Sequence, residues 1–581
     1  MEGPSVVLAG AGSGKTRVLI HKVLNLIENH QVDPHQIVMI TFTNKAAREM
    51  KDRIAKSTGS EATLGYVGTF HSFCCMLLRR DGEHIGIPRD FVIYDDDDQQ
   101  QVLKQILKKL NTKYSPRFFS SKISEAKNQL IAPDRYLELF SYYKAAEVAE
   151  VYHQYQKELK KNHALDFDDL IMKVVELFRK HPPVLEKYQD RYRYLLVDEF
   201  QDTNVAQYVL TQKLAAKHKN ITVVGDFSQS IYSWRGADIR NLEKFSDDFP
   251  EATVINLEQN YRSTQNILDF AYEVISVNQT HPILQLFTEA DGGEEITYYT
   301  ADNEEDEAVY IANVIQQLAN KAQYSDIAVL YRTNAQSRAI EEVFLHYGIP
   351  YTLIGGTRFY ERKEIKDILS YLRLFLHPED TVALERVKKI GKRRFNSFRE
   401  LYQNVKENVQ DIPTVEIMEQ VFEATEYLGL YDPDIPEEYA RLENIKELKS
   451  VALSFPNVVE FLEQVALVES EYFEGEKGGK SRDGVRLMTL HQAKGLEFDY
   501  VFITGLEEGI LPHSRSIDDL HQLEEERRLF YVGITRAKDK LYLTYARRRL
   551  IFGRRNEAMK SRFIRKEDEE EYTAADEEEW W

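Results

Sequence analysis

Residues 9–16, AGAGSGKT, match the spacing G-x-x-x-x-G-K-[ST], with Ala9 in place of the first glycine. This pattern leaves few structural alternatives, because its glycines let backbone N–H groups turn inward around the β- and γ-phosphates of a nucleotide. Lys15 is placed to reach the terminal phosphates, and Thr16 offers a hydroxyl to Mg²⁺. The flanks agree with that reading. Ser5–Leu8 is apolar enough for a short buried strand, and Thr16–Ile27 carries a helical apolar pattern. The loop therefore sits at a helix N-terminus, where the dipole favours anions. Ala11, Gly12, Ser13, Gly14, Lys15 and Thr16 are expected to hold a nucleoside triphosphate.

A strand–loop–helix start of this kind predicts an α/β fold, and the rest of the chain continues it. Strand-like runs recur at Val38–Phe42, Tyr194–Val197, Thr222–Val224, Thr253–Leu257, Ile327–Tyr331, Val485–Leu490, Tyr500–Thr504 and Leu541–Thr544. Amphipathic helical patterns such as Ala308–Leu318 and Arg338–Tyr347 lie between them. That alternation predicts parallel sheets covered by helices, with enough strands for two. Two stretches, about 89–190 and 371–483, read as almost pure helix and are expected as insertions. GEKGGKSRDG, 475–484, reads as a return linker.

At 581 residues the chain is too long for one core. No apolar run reaches the length of a membrane span. The first apolar run leads straight into the phosphate loop with no basic leader, so no signal peptide is expected. The adjacent Cys74 and Cys75 are a poor disulfide framework; buried free thiols and a cytoplasmic setting are expected. The net charge of −20 argues, by itself, against a nucleic-acid partner. However, Glu567–Glu571 and Asp576–Glu579 supply about half of that excess, in a C-terminal segment of disordered composition. Local basic and aromatic clusters therefore decide the partner.

A phosphate loop needs a metal carboxylate and a group that activates water. YLLVDEFQDTN, 194–204, is a hydrophobic strand ending in adjacent acids. Asp198 is the candidate for Mg²⁺ and Glu199 for polarising the attacking water. A further strand and loop, VVGDFSQSIYSWRGA at 223–237, places Gln229 to sense the γ-phosphate or the lytic water. In the same loop Tyr232 and Trp234 stand with Arg235, and Phe42 follows an earlier strand. Exposed aromatics with nearby cations suit single-stranded nucleic acid, since every base has a π-face whatever the sequence.

These motifs, in this order, resemble the superfamily 1 DNA helicases of the UvrD/PcrA/Rep group. The resemblance extends to TFTNKAAREM (41–50), GTFHS (68–72), LEQNYRS (257–263), RTNAQSR (332–338), GGTRFYERKEIKD (355–367), VRLMTLHQAKGLEFDYVFI (485–503) and EEERRLFYVGITRAKDKL (524–541). It covers residues 3 to about 565. It implies two RecA-like parallel-sheet motor domains, each with a mainly helical insertion. The first would comprise 1–88 and 190–264 around an insertion at 89–189. The second would comprise 265–370 and 484–565 around a shortened insertion at 371–483, followed by the acidic tail 566–581.

The resemblance further implies ATP between the motors, with Arg262 and Arg536 on its phosphates, Arg17 and Tyr261 on the adenine and Glu497 on the ribose. Two guanidinium groups spread across a transferring phosphoryl group stabilise it, and one such arginine finger is worth roughly 10³–10⁵ in rate. It adds His71, Phe167, Asn334, His491 and Phe552 as strand contacts, and it implies 3′→5′ movement on DNA in repair or replication restart. One base–aromatic stack is worth about 1–3 kcal/mol, and a duplex step averages about 1.4 kcal/mol. Switching a base between pockets is thus comparable to opening one base pair.

The chain departs from that family in two places. Only eight residues precede Ala9, so an adenine-reading LNxxQ segment is missing from this sequence: either the sequence is truncated or misses its true start, or base selectivity is relaxed, with weaker, less selective ATP binding the expectation. The second insertion is shorter by roughly fifty residues, and its basic signature survives as KKIGKRR, 388–394. An ATP-dependent helicase acting on single strands and single-strand/duplex junctions, with repair proteins as partners and no membrane association, is the leading expectation. A translocase that strips proteins without unwinding, and a nucleotide-gated DNA-binding switch, are the alternatives. Retention of Glu199, Gln229, Arg262 and Arg536 argues against the switch. Oligomeric state is not legible, and a monomer is compatible with the sequence.

Overall fold

A computed structural model describes residues 2–58, 64–112, 114–477, 483–551 and 554–564. The chain forms two compact units, Met1–Arg262 with Asn278–Glu289, and Ser263–Val277 with Ala290–Trp581. The two sheets anticipated from the alternating pattern are present, one in each.

The first unit carries strands β1 (Ser5–Ala9), β2 (Ile37–Thr41), β3 (Tyr66–Thr69), β4 (Val92–Tyr94), β5 (Ala164–Asp166), β6 (Tyr194–Val197), β7 (Ile221–Gly225) and β8 (Thr253–Leu257). Six of them form an all-parallel sheet in the order β3-β2-β6-β7-β1-β8. Its inner strands β1, β2, β6 and β7 are buried almost throughout on both faces, which is why they read as continuous apolar runs, while the edge strand β8 is largely exposed. In β2, Val38 and Ile40 point into one core with Phe70, Phe73, Leu77 and Val174. Their neighbours Ile37 and Met39 point into the other, with Leu19, Val23 and Met50.

The stretch after residue 88 is helical as expected, with helices Asp96–Leu110, Pro116–Asn128, Ala145–Lys161, Phe167–Lys180 and Pro182–Arg191. Asp95 starts the first with a capping box, and Ser115 caps the second ahead of Pro116. A two-stranded parallel ladder of β4 and β5 interrupts the helical reading. Each strand has three residues, too few for a period-two pattern to stand out.

The second unit adds β9 (Thr297–Ala301), β10 (Ile327–Tyr331), β11 (Tyr351–Leu353), β12 (Val485–Thr489), β13 (Phe498–Ile503), β14 (Ala537–Ala546), β15 (Arg548–Ile551) and β16 (Arg554–Glu557). Its main sheet is again all-parallel, in the order β11-β12-β10-β13-β14-β9. Six helices between Lys363 and Lys477 form a separate apolar core around Ile365, Tyr371, Phe398, Val421 and Leu448. The basic run 388–394 lies at a corner where Gly391 joins helices Thr381–Ile390 and Lys392–Val405, and Arg393 pairs with Glu426 at 2.9 Å.

Among the described residues, no helix is long and apolar enough to cross a membrane. Cys74 is buried and Cys75 partly so, both as free thiols, with burial pushing the Cys74 thiol far up. The acidic segment 566–581 lies outside the described residues.

Candidate functional site

Parallel strands send all their carboxyl ends to one edge of a sheet, so the loops that follow them gather there. In the first unit that edge collects the phosphate loop after β1, Phe42 after β2, the acids after β6, the Gln229 loop after β7 and residues 259–262 after β8.

The phosphate loop has the backbone its glycines permit. Gly12 (φ 68°) and Gly14 (φ 84°) are left-handed, and Gly14 precedes helix Lys15–Glu28 directly. Ser13 Oγ donates to the Gly10 carbonyl at 2.8 Å and tightens the turn. Residues 260–262 brace the same loop. Asn260 Nδ2 donates to Ala11 O at 2.6 Å, the Tyr261 amide donates to Gly12 O at 3.0 Å, and the Arg262 amide donates to Asn260 Oδ1 at 2.7 Å. A Cβ on Gly12 would lie 2.7 Å from Asn260 Nδ2 and 2.9 Å from Arg262 Cβ. The arginine segment is thus packed against the phosphate cradle with no room for a methyl group.

The acids face the loop. Lys15 Nζ lies 3.9 Å from Glu199 Oε2. Asp198 is buried, and burial, reinforced by the neighbouring Glu199, pushes its carboxyl up to about 7 against the pull of Lys15. Glu199 has φ 50°, a left-handed conformation disfavoured for a residue with a Cβ. Such strain persists only where surrounding contacts hold it. Here Gln201 does so, donating from Nε2 to Glu199 Oε2 at 2.6 Å while its Oε1 accepts the Asp226 amide at 3.1 Å. Asp226 Oδ2 in turn accepts Gln229 Nε2 at 2.6 Å. Lys15, Glu199, Gln201, Asp226 and Gln229 therefore form one continuous polar line. Gln201 and Asp226 escape a sequence reading, since neither is chemically conspicuous; the available signal was an amide side chain two residues after Glu199.

Magnesium fits this donor set. Thr16 and Asp198 supply a hydroxyl and a carboxylate, hard oxygen ligands few enough to leave coordinated water in place. A divalent cation would also relieve the unfavourable charge on buried Asp198. Among the described residues no cluster of three or more His, Cys, Asp or Glu forms a metal site. Arg17 and Tyr261 are solvent-accessible, Tyr261 at 66% exposure.

The line ends beside the aromatics. Tyr232 and Trp234 meet edge to face at 6.3 Å, and the Arg235 guanidinium lies 4.5 Å from the Trp234 ring centre. Trp234 is 43% exposed. In the neighbouring helical region Phe167 is 46% exposed and meets His71 edge to face at 5.7 Å; burial lowers the His71 pKa. Phe42 packs edge to face on Phe70 at 5.8 Å.

In the second unit the candidates separate onto opposite edges of the sheet. Asn334 follows β10 and His491 follows β12, at the carboxyl edge, where the Asn334 carbonyl accepts Arg362 Nη1 at 3.0 Å. Glu497 and Arg536 immediately precede β13 and β14, at the amino edge. Glu497 lies 3.7 Å from Lys538 Nζ. Arg536 is only 1% exposed, and its guanidinium donates to the carbonyls of Val532 at 2.9 Å and Leu496 at 3.1 Å and to Thr535 Oγ1 at 3.1 Å. Phe552 lies outside the described residues. The hairpin strand β15 is tied down by Arg549, which contacts Glu507 and Glu307 in the interior.

Comparison with known proteins agrees with this arrangement. Residues 1–250 match the UvrD/REP helicase N-terminal domain, and residues 255–423 and 392–548 match the UvrD-like helicase C-terminal domain. The chain is similar to the ATP-dependent DNA helicase PcrA of Bacillus subtilis, at 46% identity over 619 aligned positions covering 97% of this chain and 83% of that protein. It is similar to the proteins of the same name from Staphylococcus epidermidis and Staphylococcus aureus, each at 43% identity over 97% of this chain and 84% of theirs.

Proposed function

The chain belongs to the UvrD/Rep helicase family and is an ATP-dependent DNA helicase, and from that premise we propose that it moves 3′→5′ along single-stranded DNA in repair or replication restart. The observation that carries the reading is the polar line from Lys15 through Glu199, Gln201 and Asp226 to Gln229, which continues in the chain into the Tyr232–Arg235 aromatics. A phosphate-sensing line that ends at base-stacking side chains couples nucleotide state to strand grip.

In this reading the loop amides of residues 11–16 and Lys15 bind the β- and γ-phosphates of ATP. Thr16 and Asp198 hold Mg²⁺, which when bound neutralises phosphate charge. Glu199 orients the attacking water and accepts its proton, with Gln201 fixing the carboxylate in position. Gln229 reads the γ-phosphate, and Arg262 and Arg536 stabilise the charge of the transferring group. Arg17 and Tyr261 flank the base, and Glu497 binds the ribose. The DNA strand is held by Phe42, His71, Phe167, Tyr232, Trp234, Arg235, Asn334, His491 and Phe552. Motor domains at 1–88 with 190–264 and at 265–370 with 484–565, single-strand/duplex junctions as substrate, repair proteins as partners and a cytoplasmic location complete the proposal.

A second reading, translocation without vigorous unwinding, is favoured by one observation. The alignment with the Bacillus subtilis protein spans 619 positions against 581 residues here, so that relative carries segments this chain lacks. One assay series separates the readings. ATP turnover with and without single-stranded oligonucleotide tests the motor, and unwinding of 3′-tailed against 5′-tailed duplexes tests strand separation and polarity. Turnover indifferent to oligonucleotide would sink both.

A further inference from the structure

Lys127 and Asn128 close the helix Pro116–Asn128 and contact three functional segments of the first unit. Lys127 is 0% exposed, with Nζ 2.6 Å from Asp166 Oδ2 and 2.9 Å from Asp169 Oδ2. Those carboxylates flank the exposed Phe167. Asp166 Oδ1 also accepts the Asp169 amide at 2.8 Å and so caps the helix that begins at Phe167, while Tyr155 donates its hydroxyl to Asp166 Oδ2 at 3.1 Å. A buried ammonium between two carboxylates is tolerated only in well-defined geometry. The start of that helix, and with it the Phe167–His71 pair, is therefore fixed by Lys127.

The next residue reaches the other two segments. Asn128 Oδ1 accepts Asn204 Nδ2 at 2.7 Å, and Asn204 forms the capping box of helix Val205–Ala215 directly after the carboxylate loop 198–202. The Asn128 side chain also lies against Gly236, where an added Cβ would sit 3.5 Å from Asn128 Cβ and from Nδ2. Gly236, at φ 87°, terminates the Tyr232–Arg235 turn. One helical turn thus touches the two carboxylates beside the Phe167–His71 pair, the anchor of the hydrolytic loop and the end of the aromatic loop.

We propose that Lys127 and Asn128 are positioning residues that make these three segments move together, so that nucleotide state at residues 198–202 is transmitted to Phe167 and Trp234. This deepens the motor reading and rests on it. The physical warrant is a hydrogen-bonded and close-packed connection, not proximity alone.

The test uses the full chain with Trp580→Phe and Trp581→Phe, which leaves Trp234 as the only tryptophan of three. Parent, Asn128→Ala and Asn128→Asp are compared at saturation with a non-hydrolysable ATP analogue and Mg²⁺, without DNA, by Trp234 emission. A parallel titration follows turnover against oligo(dT). Asn128→Ala is expected to reduce the nucleotide-induced emission change by about fivefold or more and to raise the oligo(dT) concentration for half-maximal turnover. Asn128→Asp, which keeps an acceptor for Asn204, is expected to restore most of both. Emission changes equal in parent and Asn128→Ala, or no nucleotide response in the parent, overturn the joint. A parent whose turnover ignores oligo(dT) defeats the motor reading instead, and the emission comparison still decides the joint.

Discussion

The side-chain amide of Gln201 donates to Glu199 at 2.6 Å, and its carbonyl end accepts the Asp226 amide at 3.1 Å. One buried side chain thus holds the Glu199 carboxylate and touches the segment that leads to Gln229. Gln201→Glu keeps the shape but removes the donor and sets carboxylate against carboxylate. It is expected to lower DNA-stimulated kcat by about 10² with little change in the KM for ATP, read by steady-state hydrolysis.

Arg536 should be tested as lysine before alanine. Its guanidinium satisfies the carbonyls of Leu496 and Val532 inside the second unit. Arg536→Ala therefore removes about 1–3 kcal/mol of stability through groups left unpaired, beyond any effect on chemistry. Arg536→Lys is expected to keep most of the thermal stability and still lose about 10³ in kcat. A lysine variant with normal kcat would remove Arg536 from the phosphate set.

The metal-free protein should lose stability with rising pH because of Asp198. Its carboxyl is raised by burial to about 7 from 3.8, so between those values the folded state holds a proton that the unfolded chain has released. Stability from this group is complete below the unfolded value and declines as pH climbs through the window, by on the order of 2–4 kcal/mol. Chemical denaturation of the nucleotide-free chain at pH 5, 6 and 7.5 reads this slope, and Asp198→Asn should flatten it.

Glu526 carries the opposite sign. Burial opposes its charge, yet the two-pronged contact with Arg332 at 2.7–3.1 Å and the His513 amide hold its carboxyl below the usual range. Its contribution is present above about 4.5 and is lost as pH falls through the lowered folded value. Glu526→Gln removes the carboxylate bonded to partly buried Arg332, which keeps the weaker pull of Glu443 and Glu525, and should destabilise the second unit by about 1–3 kcal/mol, seen as an earlier unfolding transition.

Trp234→Ala should weaken single-strand affinity by about 1–3 kcal/mol, measured by anisotropy of a labelled oligonucleotide at fixed salt. Affinity unchanged by the substitution would exclude Trp234 as a stacking platform.

Much of this molecule was legible from its chain because parallel strands buried on both faces leave long apolar runs, and the loops after them carry conspicuous chemistry. β1, β6, β8 and β10 stand at or within a residue of their anticipated bounds. The edge strands β3, β9 and β11 went unread: β9 and β11 are only partly buried, and β3, though mostly buried, has just four residues with a glycine among them. The polar connections were also hidden. Gln201, Asp226, Lys127 and Asn128 are ordinary residue types whose partners lie 25 to 76 positions away in pairs such as Gln201–Asp226 and Asn128–Asn204. Such pairings exist only once the sheet edge has assembled.

The missing methyl at residue 12 ties two distant parts of the gene. Asn260 and Arg262 fill the space where any side chain on Gly12 would stand, so drift at one position is penalised by the other. Engineering that aims to broaden nucleotide choice should therefore treat 10–14 and 259–262 as one cassette, exchanged whole between homologues. A graft of the glycine-rich segment alone would be expected to misplace the arginine it was meant to serve.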